Sequence, residues 1–191
     1  MFDSDALVAE CLDAVGETDA RRAVRDILER TLERPAEVAE VMARREGGIE
    51  VVFNSPGLTV LNVVWAPGMQ LPPHDHRMWA AIGIYAGTED NTLYRRGPER
   101  IAAAGSRDLH ERDILMLGPD AIHSVRNPEQ RFTGALHIYG GDFVNQPRSQ
   151  WDPDSLLEEP YDFAHFQQLF AEANARWAGQ FDDDLDDDVA T

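Results

Sequence analysis

The chain has 191 residues, enough for one domain of ordinary size with a terminal extension. With 43% hydrophobic and 27% charged residues its composition is that of a globular protein, and 35 acidic against 17 basic residues give a net charge of −18. Every basic residue is arginine, which excludes lysine Schiff-base chemistry, and so acidic a chain is repelled by phosphate backbones and anionic membranes.

Residues 1–48 read as a helical segment packed on the rest of the chain. Leu7, Val8, Cys11, Leu12 and Val15 recur at helix spacing, and Asp3 to Asp5 offer an N-cap. Cys11 lies on that apolar stripe and reads as a buried spacer rather than a nucleophile. As the single cysteine it also excludes an intrachain disulfide and a cysteine-cluster zinc site. Val24, Ile27, Leu28 and Leu32 mark a second helix that ends near Pro35, and a third, 36–45, stops at the Gly47-Gly48 pair.

After Gly48 the texture changes to short β-branched runs separated by turn signals. Strands are expected at 49–53, 58–66, 69–73, 79–86, 92–96, 108–111, 114–117, 124–127 and 131–139, with turns at Ser55-Pro56-Gly57, Pro67-Gly68, Gly97-Pro98 and Gly118-Pro119-Asp120. Many short strands at close spacing predict an all-β sandwich or barrel over 49–150. A last amphipathic helix carries Phe163, Phe166, Leu169, Phe170 and Trp177 within a segment 151–180. The remaining 181–191 hold six aspartates between Asp182 and Asp188 and read as a solvated, disordered acidic tail.

Histidines 74, 76, 123 and 137 fall in the β region. On an extended strand residues i and i+2 point to one face, so His74 and His76 project together while Asp75 points away. Two converging imidazoles form half of a metal site that a distant third ligand completes. In the last expected strand, Thr133, Ala135, His137 and Tyr139 alternate with Phe132, Gly134, Leu136 and Ile138, which puts a polar row on one face and an apolar row on the other.

The context of the pair is informative. Gly68 precedes it, an apolar strand ending in Ala86-Gly87 comes after it, and Gly118-Pro119-Asp120-Ala121-Ile122-His123 leads on to Asn127. Over 68–127 the sequence resembles the cupin superfamily, whose two motifs are a glycine, a gap, HxH, a carboxylate and a glycine, then a proline-containing turn, a histidine and an asparagine. The resemblance implies a double-stranded β-helix, a jelly-roll barrel with a metal inside, here flanked by an N-terminal helical layer and a C-terminal helix. One position departs from the family: its carboxylate falls at Ala80 or Ala81, neither of which can ligate. The implied ligands are therefore His74, His76 and His123, three neutral groups that leave a divalent ion its full charge and suit an anionic ligand such as a thiolate.

That pattern narrows the resemblance to the thiol dioxygenases of cysteine dioxygenase type, and within them to the bacterial 3-mercaptopropionate dioxygenase branch. The stretches that carry it are Pro73-His74-Asp75-His76-Arg77-Met78-Trp79 and Ala135-Leu136-His137-Ile138-Tyr139-Gly140-Gly141. It implies a Tyr139 hydroxyl aimed at substrate or oxygen and relayed by His137, with Ala135 where the family has serine. The alternatives are a core tyrosine bonded to a backbone carbonyl and a satisfied core histidine. Arg148, nine residues after Tyr139, matches an arginine of that branch, and a guanidinium suits a bidentate grip on a substrate carboxylate. Its alternative is a loop arginine paired with a surface acid.

The function implied is oxidation of a small thiol, 3-mercaptopropionate or cysteine-like, to its sulfinic acid by Fe(II) and dioxygen. A three-histidine cupin enzyme acting on a non-thiol substrate and a non-catalytic metal- or ligand-binding cupin remain as alternatives. No apolar run approaches the ~18 residues of a membrane span. The N-terminus has no basic region, so a cytoplasmic protein without nucleic-acid or membrane partners is expected.

Overall fold

The architecture was obtained as a computed structural model, which describes residues 1–187. Helix α1 (Ser4–Ala14) begins at Asp3, whose carboxylate accepts from the backbone N–H groups of Asp5 and Ala6 at 2.9 and 3.2 Å. Asp19 caps α2 (Ala20–Thr31) through the N–H of Arg22, and α3 (Pro35–Met42) opens on a proline at its first turn. The third helix stops at Met42, short of the expected 45, because Ala43 is already extended with φ −61° and ψ 141°.

Eleven strands come next, β1 (Gly48–Asn54), β2 (Thr59–Trp65), β3 (Gln70–Asp75), β4 (Ala80–Ala86), β5 (Thr88–Arg96), β6 (Ile101–His110), β7 (Ile114–Leu117), β8 (Ile122–Arg126), β9 (Thr133–Tyr139), β10 (Ser149–Trp151) and β11 (Glu158–Pro160), before helix α4 (Phe163–Asp187). They form two antiparallel sheets in the orders β1-β2-β9-β4-β7 and β11-β10-β3-β8-β5-β6. Strands β2 to β9 thus supply four to each sheet, with early and late strands interleaved. That is the eight-stranded double-stranded β-helix, or jelly roll. The added strands β1, β10 and β11 extend its edges.

The expected periodicity of β9 decides which residues face the barrel. Ala135 and Tyr139 join Leu61, Val63, Trp65 and Ile82 in the interior core, together with Leu71 and Val125 of the opposite sheet. Leu136 and Ile138 point outward, where with Val60, Ala81 and Tyr85 they pack beneath Leu7, Cys11, Val24, Leu28 and Leu32 of the helices. Strands β2 and β9 are consequently buried along their whole lengths. Gly134 lies on this outer face directly under the Tyr85 ring, and a Cβ there would run into it. The Tyr85 hydroxyl donates to Asn62 Oδ1 at 2.9 Å.

Strand β5 begins at Thr88 rather than at 92, and three further strands, β6, β10 and β11, depart most from the sequence reading. Half of β6 is Ala-Ala-Ala-Gly-Ser, which carries no β-branched signal and is a strand because it pairs with β5 from Thr88↔His110 to Arg96↔Ile101. Strands β10 and β11 are three residues each and exist only as pairings onto β3 and each other. Helix α4 runs through 181–187 to Asp187, part of the expected disordered tail, since no glycine or proline interrupts the chain after Gly179; residues 188–191 lie outside the described residues. Phe166, Phe170 and Ala173 of α4 pack against the barrel interior, with the Phe170 ring stacked on Trp65 at 5.5 Å. Among the described residues no helix is long and apolar enough to cross a membrane.

Cys11 is fully buried beneath this helical layer, and burial pushes its thiol pKa up to about 12. The native protein is therefore expected to resist stoichiometric alkylation near neutral pH and to label only after unfolding. Rapid native labelling would place the first helix elsewhere.

Candidate metal centre

The three histidines come together through one strand pairing. His74 on β3 lies directly opposite His123 on β8, with a register irregularity between Leu71 and His74. That irregularity spans Pro72 and Pro73, which have no N–H to give to the ladder. His76 stands just past the end of β3, and the next residue, Arg77, turns the chain with φ 56°. The ring centroids lie 5.2 Å apart for His74 and His76, 4.7 Å for His74 and His123, and 5.0 Å for His76 and His123.

Asp75 points away from the imidazoles, as its odd place in the strand requires. It is 1% exposed, takes Arg77 Nε at 2.7 Å and Arg96 at 3.0 Å, and accepts the Ser149 N–H at 2.9 Å. Burial is the largest influence on its carboxyl and raises its pKa against the lowering by Ser149 and the two arginines. Glu158 of β11 joins both arginines from the other side. This network fastens the His-Asp-His segment to β5, β10 and β11.

Hydrogen bonds at the outer nitrogens set the ring tautomers. His74 Nδ1 lies 3.0 Å from the Pro72 carbonyl, which can only accept, so this nitrogen carries the proton and Nε2 is left as a lone pair. His123 Nδ1 lies 2.7 Å from Asn91 Oδ1, with the same consequence. His123 Nε2 then meets His76 Nε2 at 3.3 Å. With metal–nitrogen bonds of about 2.0–2.1 Å, that separation corresponds to an angle of roughly 105° at a shared ion. One ligand atom from each of the three histidines lies within 4.8 Å of the others, and all three side chains are buried. The residues present therefore fit a single divalent ion on three neutral nitrogens.

Burial keeps these rings neutral, as ligation demands. It is the largest cause in each case: His74 falls to about 4, and His76 and His123 fall well below the ordinary imidazole value. Ala80 and Ala81, where a carboxylate ligand would stand, are fully buried on opposite faces of β4, Ala80 in the barrel core and Ala81 beneath the helices.

The rings line a cavity of about 20 Å³, room for roughly one water molecule. His137, Tyr139, Leu71, Val125, Phe143, Tyr161 and Phe166 share that lining. His137 Nδ1 and the Tyr139 hydroxyl are 3.0 Å apart, while His137 Nε2 is buried without a hydrogen-bond partner. Burial lowers the His137 pKa to about 3 and raises that of Tyr139. The Tyr139 ring meets His76 edge-on at 5.0 Å and stacks on Phe143 at 4.1 Å.

Arg148 does not line the cavity. Its guanidinium lies between the rings of Phe143 and Tyr161, at 4.0 and 3.9 Å, and donates to the Phe143 carbonyl at 2.7 Å. The cation is thus built into the wall, close enough to lower the pKa of His74, His76 and Tyr139. Sequence reasoning missed Asn91 altogether. It lies in the first half of β5, ahead of the 92–96 expected for that strand.

No family model matches the chain. Among solved structures it is similar to an RmlC-like cupin family protein with a double-stranded β-helix fold from Methanocaldococcus jannaschii, at 14% identity over 53% of this chain and 85% of that one, with a TM-score of 0.45. It is also similar to a cupin superfamily protein from Desulfitobacterium hafniense, at 18% identity over 55% and 88% of the two chains, TM-score 0.44. DMSP lyase from Ruegeria pomeroyi matches at 21% identity over 61% of this chain and 56% of that one, TM-score 0.46.

Proposed function

We propose that this protein is an Fe(II)-dependent dioxygenase that oxidises a small thiol to its sulfinic acid. The observation that carries the reading is the convergence of three neutral imidazoles, with no carboxylate among the described residues joining them, on a small cavity that Tyr139 also lines. An iron ion held there would supply the redox chemistry that joins dioxygen to sulfur. The overall change, thiol plus dioxygen to sulfinic acid, needs no further reductant.

The chain's own residues supply the surroundings. Leu71, Val125, Phe143 and Phe166 give the cavity an apolar lining that disfavours water. His137 Nδ1 holds the Tyr139 hydroxyl, which burial keeps protonated and so able to donate to an oxygen developing charge at sulfur. Arg148 offers a positive field to an anionic substrate. A direct carboxylate grip requires the Phe143–Tyr161 wall to open, because the guanidinium is packed between those rings. This packing favours a second reading, in which the same three-histidine centre acts on a substrate other than a carboxylated thiol.

Oxygen uptake by iron-loaded protein separates the readings. A carboxylated thiol, an uncharged thiol and a non-thiol acid are compared as substrates. One dioxygen consumed per thiol, with sulfinic acid formed and uptake lost on chelation, is the expected result. Uptake with the non-thiol alone supports the second reading, and tight metal binding with no turnover of any compound overturns both. With an active thiol, Tyr139→Phe is expected to lower kcat by about 100-fold, the lower end of what a positioned proton donor contributes.

A further inference from the structure

Glu89 is a carboxylate where none is expected. It lies on β5, is 0% exposed, and among the described residues enters no ion pair. Both of its oxygens nevertheless accept hydrogen bonds from buried donors. Trp65 Nε1 of the opposite sheet donates to Oε2 at 2.6 Å, and Asn91 Nδ2 donates to Oε1 at 2.8 Å. Glu89 and Asn91, two apart on one strand, point to the same side. The Asn91 carbonyl oxygen then faces His123 Nδ1 at 2.7 Å.

The chemistry of this chain of contacts runs one way. Burial raises the Glu89 pKa, but both of its neighbours, Trp65 Nε1 and Asn91 Nδ2, are donors that oppose this rise and leave no acceptor for a carboxyl proton. Glu89 therefore accepts at both oxygens and turns the amide group of Asn91 toward itself. Asn91 Oδ1 is thereby fixed toward the ring, where it can only accept in turn. His123 must carry its proton on Nδ1, and Nε2 becomes the lone pair that meets His76. We propose that Glu89, acting through Asn91, is a positioning residue that sets the tautomer of His123 and so makes it a metal ligand. The proposal rests on the metal-site reading above.

Glutamine at this position reverses the logic. It brings an NH₂ group of its own, so either Trp65 or Asn91 loses an acceptor. If Asn91 turns over to receive that NH₂, it presents its own NH₂ to His123 and moves the ring proton to Nε2, where it blocks the ion. Two measurements on the full chain test this. Long-range ¹H–¹⁵N spectra of the metal-free protein, with His123 assigned by its absence in His123→Ala, report which ring nitrogen is protonated. Competition of the protein with a chromophoric chelator for Zn²⁺ reports affinity.

The wild type is expected to show the Nδ1-protonated form, and Glu89→Gln to show a shift toward the Nε2-protonated form with zinc affinity about 10–100-fold weaker. Asn91→Leu, which removes the acceptor, is expected to lose affinity to the same extent and serves if Glu89→Gln does not fold. An Nε2-protonated His123 in the wild type, or Glu89→Gln affinity within about twofold of wild type, overturns the proposal. So does a Glu89→Gln protein that loses thermal stability while its His123 tautomer stays unchanged, which marks a purely structural carboxylate. A wild type that binds no zinc overturns the metal reading instead, and the tautomer spectra still decide the link from Glu89 to His123.

Discussion

Replacing His123 with alanine is expected to weaken divalent-metal binding by more than about 100-fold, since the loss of a partner merely behind a ligand already costs about 10–100-fold. The three imidazoles offer the ion only neutral nitrogens, Ala80 stands in the barrel core where a carboxylate ligand would be, and among the described residues no carboxylate belongs to the group. His74→Ala is expected to act alike, because His74 sits opposite His123 in the β3–β8 register and its Nε2 is freed by the Pro72 carbonyl. The metal-free fold should survive both changes. The barrel interior is held by Leu61, Val63, Trp65, Ile82 and their neighbours, and the outer sheet face by the helices, neither of which needs an ion. Zinc competition binding and a metal-free melting curve check the two halves. Undiminished affinity would remove His123 from the site, and collapse of the metal-free protein would make the ring a structural element.

The second large effect lies behind the histidines. Asp75→Ala removes the shared acceptor of Arg77, Arg96 and the Ser149 N–H. Breaking a buried pair by removing one partner typically costs about 3–5 kcal/mol. The two arginine side chains here are 40% and 41% exposed and keep Glu158 as a partner, so about 2–3 kcal/mol is expected. In a chain of this size that lowers Tm by roughly 5–10 °C. Burial raises the Asp75 pKa, so folding favours the neutral form of this carboxyl and its contribution to stability falls as pH rises through its titration. Asp75→Asn, which imitates the neutral form and keeps an acceptor for Ser149, is accordingly expected to cost less than Asp75→Ala. Equal losses in thermal unfolding would show that charge pairing, rather than the Ser149 contact, dominates.

How much of this site was legible in the sequence depends on how local each feature is. The His74-Asp75-His76 spacing and the alternation along 133–139 are properties of a single strand, and the pleat alone predicts which side chains share a face. His123 is 47 residues beyond His76, and what joins them is the pairing of β3 with β8, legible only through the resemblance of the two motifs. Arg148 shows the limit of that resemblance. Its spacing from Tyr139 matched, but whether a guanidinium enters a cavity or stacks in its wall depends on Phe143 and Tyr161, which no spacing encodes. Glu89 and Asn91 were within reach, because two polar residues at period two in a strand that begins at Thr88 invite the question of what they face. They were missed because β5 was expected to begin only at Thr92. Short strands such as β10 and β11 carry no signal of their own, since three residues become a strand only when a partner edge is present.

The claim on which the rest depends is that His74, His76 and His123 hold one divalent ion together. X-ray absorption of the protein loaded with one equivalent of iron(II) tests it most directly. The account predicts three imidazole nitrogens at about 2.0–2.2 Å, the range of metal–nitrogen bonds for such ions, and loss of the imidazole signal in His123→Ala. A spectrum with oxygen ligands alone, or an imidazole signal unchanged by that substitution, would contradict it.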